Sequence, residues 1–240
     1  MRTLLQLTQA FCITQGIPKP TTVVSSLDET ILQIWGLLNT EVAELGDRAD
    51  WTALRIRTRF QHANGADYLA LALSSIPGFK GILPRTLWNE SIRLPVNGPI
   101  PEAVWQQMLL LGVTQSQYNF RLYNGGLYIY PATTDSSYFN MECMSTAGVL
   151  GVDGITLQQE FLTDGDTPRI RDDLVYAGLI WRWLAKKGQP YAEEQRTYEV
   201  MVAKEMNRET VPGELRLDGP DPDSRIIAPG LLIAAGNWNV

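Results

Sequence analysis

The sequence predicts an α+β protein: an α-helical bundle of two N-terminal and two C-terminal helices, an inserted antiparallel β-rich region, and an extended C-terminal arm. Three observations carry this. Helical periodicity stands at both ends of the chain, over residues 4–15 and 27–45 and again over 172–188 and 190–208. Period-two alternation and an Asn-Gly turn occupy the middle. Past Thr210 regular patterning stops. The expected organisation is 1–50 for the N-terminal helices, 51–167 for the β-rich insertion with one short helix, 168–209 for the C-terminal helices, and 210–240 for the arm.

The elements follow in order. Thr3 caps a first helix over 4–15, with Leu4, Leu7 and Phe11 on one face, beside Leu5 and Cys12; Gly16 ends it, and Pro18 and Pro20 block continuation. Ser26 caps a second helix, in which Leu27, Ile31, Ile34, Leu38, Val42 and Leu45 fall at helical spacing and Gly46 closes the run. Residues 52–61 alternate, with Leu54, Ile56, Thr58 and Phe60 on one side and Arg55, Arg57 and Arg59 on the other. The arginine face reads either as a solvated strand surface or as an inter-subunit or phosphate-contacting stripe. Residues 67–75 fit a short helix or a strand. Residues 81–94 read as extended, with Trp88 and Ile92 inward.

Pro101 opens a short helix over 102–111, which Gly112 ends. Asn124-Gly125 joins two aromatic-rich runs into a hairpin, and residues 137–145 are expected as a third strand of the same sheet. One or two short strands are expected around 155–161. In the fourth long helix Leu174, Ala177, Trp181 and Leu184 make one stripe, with Ile180 and Trp183 off it. Tyr191, Tyr198, Val202 and Met206 give the fifth its apolar side. The last 30 residues pass from a Pro-, Gly- and Asp-rich linker to the apolar stretch IIAPGLLIAAGNWNV. An apolar tail on a polar linker needs a partner surface, in the same chain or another.

Composition narrows the function. The chain has 240 residues, 45% hydrophobic and 19% charged, with a formal net charge of −6. Proteins that coat nucleic acid are normally basic, so tight, general nucleic-acid binding is not expected. No apolar run approaches the ~20 residues of a membrane helix, and residues 1–11 lack the pattern of a signal peptide. Cys12 and Cys143 read as two buried thiols, with neither metal-site spacing nor a disulfide framework.

Motifs for chemistry are sparse. His62 is the single histidine, has no nucleophile motif beside it, and reads as a solvated loop residue. There is no GxGxxG or GxxxxGK[ST] loop, and no cofactor or metal is expected. Glu142 and Glu160 are the carboxylates that could form a glycosidase pair ~5–9.5 Å apart. The tryptophans (Trp35, Trp51, Trp88, Trp105, Trp181, Trp183 and Trp238) mostly fall on expected core stripes.

Three stretches together resemble a known family: LLQLTQAFCITQGIPKPTTVVSSLDETILQIWGLLN at 4–39, PGFKGILPRTLWNESIRLPVNGP at 77–99, and the helical pair at 172–208. The order of elements is similar to that of the head-to-tail adaptor (connector) proteins of short-tailed bacteriophages, of the tail tubular protein A kind. The resemblance spans most of residues 1–209 and rests on packing patterns rather than a chemical signature. It implies a non-enzymatic virion protein assembled in the host cytoplasm. It also implies a self-associated ring, usually a dodecamer, docked on the portal protein and receiving the tail nozzle, with DNA passing through without specific binding. In that setting the arm residues Ile226, Ile227, Leu231, Leu232, Ile233 and Trp238 would seat on the portal. The rival expectations are a virion-associated cell-wall glycosidase using paired carboxylates and a carbohydrate-binding module using exposed tryptophans.

Overall fold

Thr3 starts helix α1 (Leu4–Gln15) with a reciprocal cap: its Oγ1 accepts from the Gln6 amide at 3.3 Å, and the Gln6 side chain accepts from the Thr3 amide at 3.0 Å. Gly16, at φ 68°, ends it in the left-handed region. Helix α2 spans Glu29–Arg48. Its cap is Asp28, whose Oδ1 accepts from the Thr30 amide at 2.8 Å, and Ser26 instead accepts from the Asp28 amide. The expected start at Ser26 is therefore two residues early. Leu27, assigned to the apolar stripe, precedes the helix and is 98% exposed. Gly46 does not close α2, which continues to Arg48, and Gly46 is buried beside Leu54.

A 3-10 turn, Thr52–Leu54, leads into β1 (Arg55–His62). Then come β2 (Leu69–Ala72), β3 (Phe79–Ile82), β4 (Trp88–Asn89), β5 (Leu94–Pro95), α3 (Glu102–Leu111), β6 (Asn119–Tyr123), β7 (Gly126–Tyr130) and β8 (Ser137–Ser145). Short strands β9 (Val149–Leu150), β10 (Leu157–Gln158) and β11 (Thr167–Pro168) precede α4 (Asp172–Lys186) and α5 (Ala192–Glu209). The computed structural model describes residues 1–62, 68–112, 117–132 and 137–209. Over these residues the protein is α+β with antiparallel sheets. The expected arm at 210–240 lies outside the described residues.

Strand β8 is the spine of the five-stranded sheet. It pairs along its whole length with β1, and on its other edge with β3 and then β4, which continues to β5. The Asn124-Gly125 hairpin forms as the sequence indicates, with both turn residues at positive φ. Its third strand, however, is β2 and not β8. Phe139, Met141 and Cys143 on β8 turn inward beside Phe60, Leu127 and Ile129, so the two sheets share a core without sharing an edge. Ile92 is exposed rather than inward, because residues 90–93 form the turn between β4 and β5, and Trp88 is half-buried.

The four long helices meet in a second core. Leu4, Leu7 and Phe11 of α1, Ile34, Leu38 and Val42 of α2, Leu174, Val175, Leu179 and Trp183 of α4, and Tyr198 and Val202 of α5 are buried together. Each large aliphatic or aromatic side chain so buried contributes about 1.5–3 kcal/mol. The buried face of α4 is rotated from the expected stripe: Trp183 is interior, edge-on to Phe11 at 5.4 Å, while Trp181 is half-buried between Tyr191 and Tyr198. The reason is Gly178, where α4 closes directly on α2. Val149, Phe161 and Ile170, flanking β9–β11, complete this core. No helix among the described residues is long and apolar enough to cross a membrane.

Candidate functional site

On the outer face of the five-stranded sheet, β1 presents Arg55, Arg57 and Arg59, all exposed. The register places Arg57 opposite Glu142 and Arg59 opposite Asn140 on β8, and Trp88 of β4 opposite Asn140 from the other side. The three arginines are not equivalent. Arg59 lies over the Tyr138 ring at 4.0 Å and pairs with Glu90 at 2.8 Å, so one side chain stitches β1, β8 and the residue after β4. Arg57 donates from Nε to Asn140 at 3.0 Å, and its terminal nitrogens meet no acceptor among the described residues. Arg55 contributes its carbonyl to Arg169.

Arg57 borders a shallow depression of about 620 Å³, lined also by Arg85, Thr86, Trp88, Asn89, Glu90, Arg93, Asn140 and Glu142. Arg85 and Arg93 sit in the left-handed region, at φ 60° and 57°. Among the described residues, no carboxylate pairs with Arg57, Arg85 or Arg93. Trp88 spends its indole N–H on the Arg85 carbonyl at 3.2 Å, which leaves the ring face for contact. Asn89 is fully buried; its Oδ1 accepts from the amides of Ser91 and Ile92, and its Nδ2 has no partner among the described residues. The sequence reading singled out Arg57 and Trp88 here and missed Arg85 and Arg93. The available signal was their place in turns, where glycine or asparagine is normally used.

A second charged group is interior. Glu41 of α2 is 0% exposed, and its two oxygens accept from Arg182 Nε and from the Tyr198 hydroxyl, each at 2.5 Å. Arg182 also grips Glu44, and Arg48 pairs with Glu199 through both terminal nitrogens at 2.8 and 2.9 Å. Burial pushes the Glu41 carboxyl up, against the opposing pull of Tyr198 and Arg182; burial and the neighbouring Glu41 push the Tyr198 phenol up. A Cβ at Gly178 would overlap the Glu41 carboxylate. The group clamps α2, α4 and α5 together, with Glu41 and Tyr198 sealed from solvent at its centre.

The third feature is a set of apolar side chains held outward on rigid loops. Asp164 accepts from the amides of Val23 and Val24, and Asp166 from those of Leu162 and Thr163. The Leu4 and Leu5 amides donate to the carbonyls of Asp166 and Asp164, and Trp35 donates to the Phe161 carbonyl. Asp153 ties the β9–β10 turn through the amides of Ile155 and Thr156 and the Thr156 hydroxyl, which holds its carboxyl down to about 2. These loops carry Leu27 and Leu162, with Val152 and Ile155 at 73% and 81% exposure. Val152 abuts Gly165, so the loops over 151–156 and 161–166 are neighbours.

Other expected residues are accounted for as follows. His62 is not a loop residue: it ends β1, is 2% exposed and lies edge-on to Phe139, and burial lowers its basicity. Alternation explains this, since His62 follows Phe60 on the inward face. Cys12 and Cys143 are buried, and burial pushes both thiols up. Glu142 borders the arginine depression, whereas Glu160 is exposed between β10 and β11 and does not line it. Trp51, Trp105 and Trp183 are buried, and Trp35, Trp88 and Trp181 half-buried. Ile226, Ile227, Leu231, Leu232, Ile233 and Trp238 lie outside the described residues. No group of three or more histidine, cysteine or carboxylate side chains suited to a metal gathers among the described residues. No protein-family model matches the chain, and no curated protein is significantly similar to it.

Proposed function

We propose that this chain is a structural virion protein, a head-to-tail adaptor of a short-tailed bacteriophage. It would form a ring between portal and tail nozzle and continue the DNA channel without chemistry of its own. The observation that carries this reading is the outward-held apolar set Leu27, Val152, Ile155 and Leu162. Loops fixed by Asp153, Asp164 and Asp166 cannot fold these side chains away, and such a surface is stabilised by being covered. Consistent with it, the stretches that carry the resemblance form α1 with much of α2, the β3–β5 segment, and the α4–α5 pair. In this reading the helical core is the ring wall, two unlike faces meet between neighbours, and the 210–240 arm engages the portal. Cryo-electron microscopy of the neck of the parent particle tests it. A closed ring of this chain between capsid and tail supports the reading; absence of the chain from purified particles sinks it. Ile155→Asp should also stop the chain closing into rings on purified portal, seen by negative-stain electron microscopy, while leaving the circular dichroism spectrum unchanged.

A further inference from the structure

The depression over β1, β8 and β4 has a charge balance unlike that of the chain as a whole. The chain carries −6, yet three arginines, Arg57, Arg85 and Arg93, line this depression. Of the two carboxylates on the rim, Glu90 is already neutralised by Arg59. Guanidinium groups without a carboxylate partner are suited to bidentate contact with an oxyanion. The half-buried Trp88 ring, with its N–H already satisfied, offers a flat apolar face. Glu142 and Asn140 add acceptors beside it. Arg85 and Arg93 hold left-handed backbone conformations, at φ 60° and 57°, that any side chain disfavours. Glycine would adopt both conformations without that strain. An oxyanion, a flat ring and a hydrogen-bond donor are together the features of a nucleotide.

We propose that this depression binds a nucleotide unit, its phosphate held by Arg57, Arg85 and Arg93 and its base laid on Trp88. The site stands independently of the assembly reading above. The shared chemistry admits a free nucleotide or one unit of a single strand, and two probes separate them: AMP, and a fluorescein-labelled ten-residue oligo-dT followed by anisotropy with the full chain. With one phosphate neutralised by the three arginines, oligo-dT affinity should fall only about 2- to 3-fold between 50 and 200 mM salt. Trp88→Ala should weaken it roughly 5- to 150-fold, and Trp88→Phe should restore most of the loss. The sharpest variant is Arg85→Gly/Arg93→Gly. It should raise the melting temperature by relieving both backbone positions while lowering affinity at least tenfold, which separates loss of the site from loss of the fold. Competition by AMP identifies a free-nucleotide site, and binding of oligo-dT alone identifies a strand site. Absence of saturable binding of either probe at 50 mM salt overturns the proposal. So does unchanged affinity in the double glycine variant, or binding of poly-glutamate in preference to oligo-dT.

Discussion

Removing Arg182 tests the interior clamp more sharply than removing Glu41. Arg182→Met keeps the aliphatic stem, which packs where the side chain is only 11% exposed, but strands the Glu41 carboxylate at 0% exposure. Breaking a buried pair from one side costs about 3–5 kcal/mol. The loss of Glu44's contact adds little, because that carboxylate is half exposed. For a chain of this size the shift corresponds to roughly 6–20 °C in melting temperature. The pH dependence carries the diagnosis. Burial already raises the Glu41 carboxyl in the folded protein, and removing the cation raises it further. A carboxyl raised on folding weakens the fold above its ordinary range and stops doing so once protonated. The deficit of Arg182→Met relative to the parent should therefore be largest near pH 8 and shrink as pH falls through the raised carboxyl. Urea unfolding from pH 5 to 8 measures this, and Glu41→Gln/Arg182→Met should lose the dependence. A deficit that is flat with pH, or a variant as stable as the parent at pH 8, would refute a charged Glu41 held by Arg182.

Gly178→Ala should destabilise by about 1–3 kcal/mol in the same unfolding assay, because the added methyl meets the Glu41 carboxylate rather than open space. Gly125→Ala should cost about 1–2 kcal/mol through its φ of 68° alone, since nothing lies near the added Cβ. Arg59→Ala should lower stability by about 1 kcal/mol while Arg57→Ala leaves it unchanged, a contrast readable by thermal melting. The β9–β10 turn should keep its Asp153 hydrogen bonds down to about pH 4. It should loosen as pH falls toward 2, because the carboxyl is depressed on folding and its contribution disappears on protonation; the amide shifts of Ile155 and Thr156 report it.

Local chemistry made several elements readable in the sequence. Thr3 and Gly16 bracket α1 where the spacing put it, and Asn124-Gly125 forms its hairpin. These depend on residues within a few positions of one another. What the sequence hid depends on distant partners. Strand β8 could have joined either sheet; its inward Phe139 stacked on Phe60 decides for β1. His62 looked polar and therefore outward, but its even spacing from Phe60 placed it inside. Glu41 was legible in principle, since it falls three residues after Leu38 and four before Leu45 on the apolar stripe of α2. A lone carboxylate there asks for a buried cation, but nothing local says that the cation is Arg182. Of the candidate surfaces, the exposed arginine face of β1 could be read from alternation. The positive-φ arginines beside it could not, because Arg85 is placed by the β3–β4 connection and Arg93 by the β4–β5 turn.

The pairing of α1 and α2 with α4 and α5 also constrains how the chain is made. About 120 residues separate the end of α2 from the start of α4. At about 5–20 residues per second, translation leaves the first two helices waiting roughly 6–24 s for the partners that cover them. Throughout that interval Phe11, Ile34 and Leu38 have no Trp183, Leu179 or Tyr198 to meet, and Glu41 remains hydrated and uncommitted. Helices α1 and α2 thus emerge well before the helices that cover them. The chain's yield in a cell should depend on whatever shields α1 and α2 at the ribosome exit.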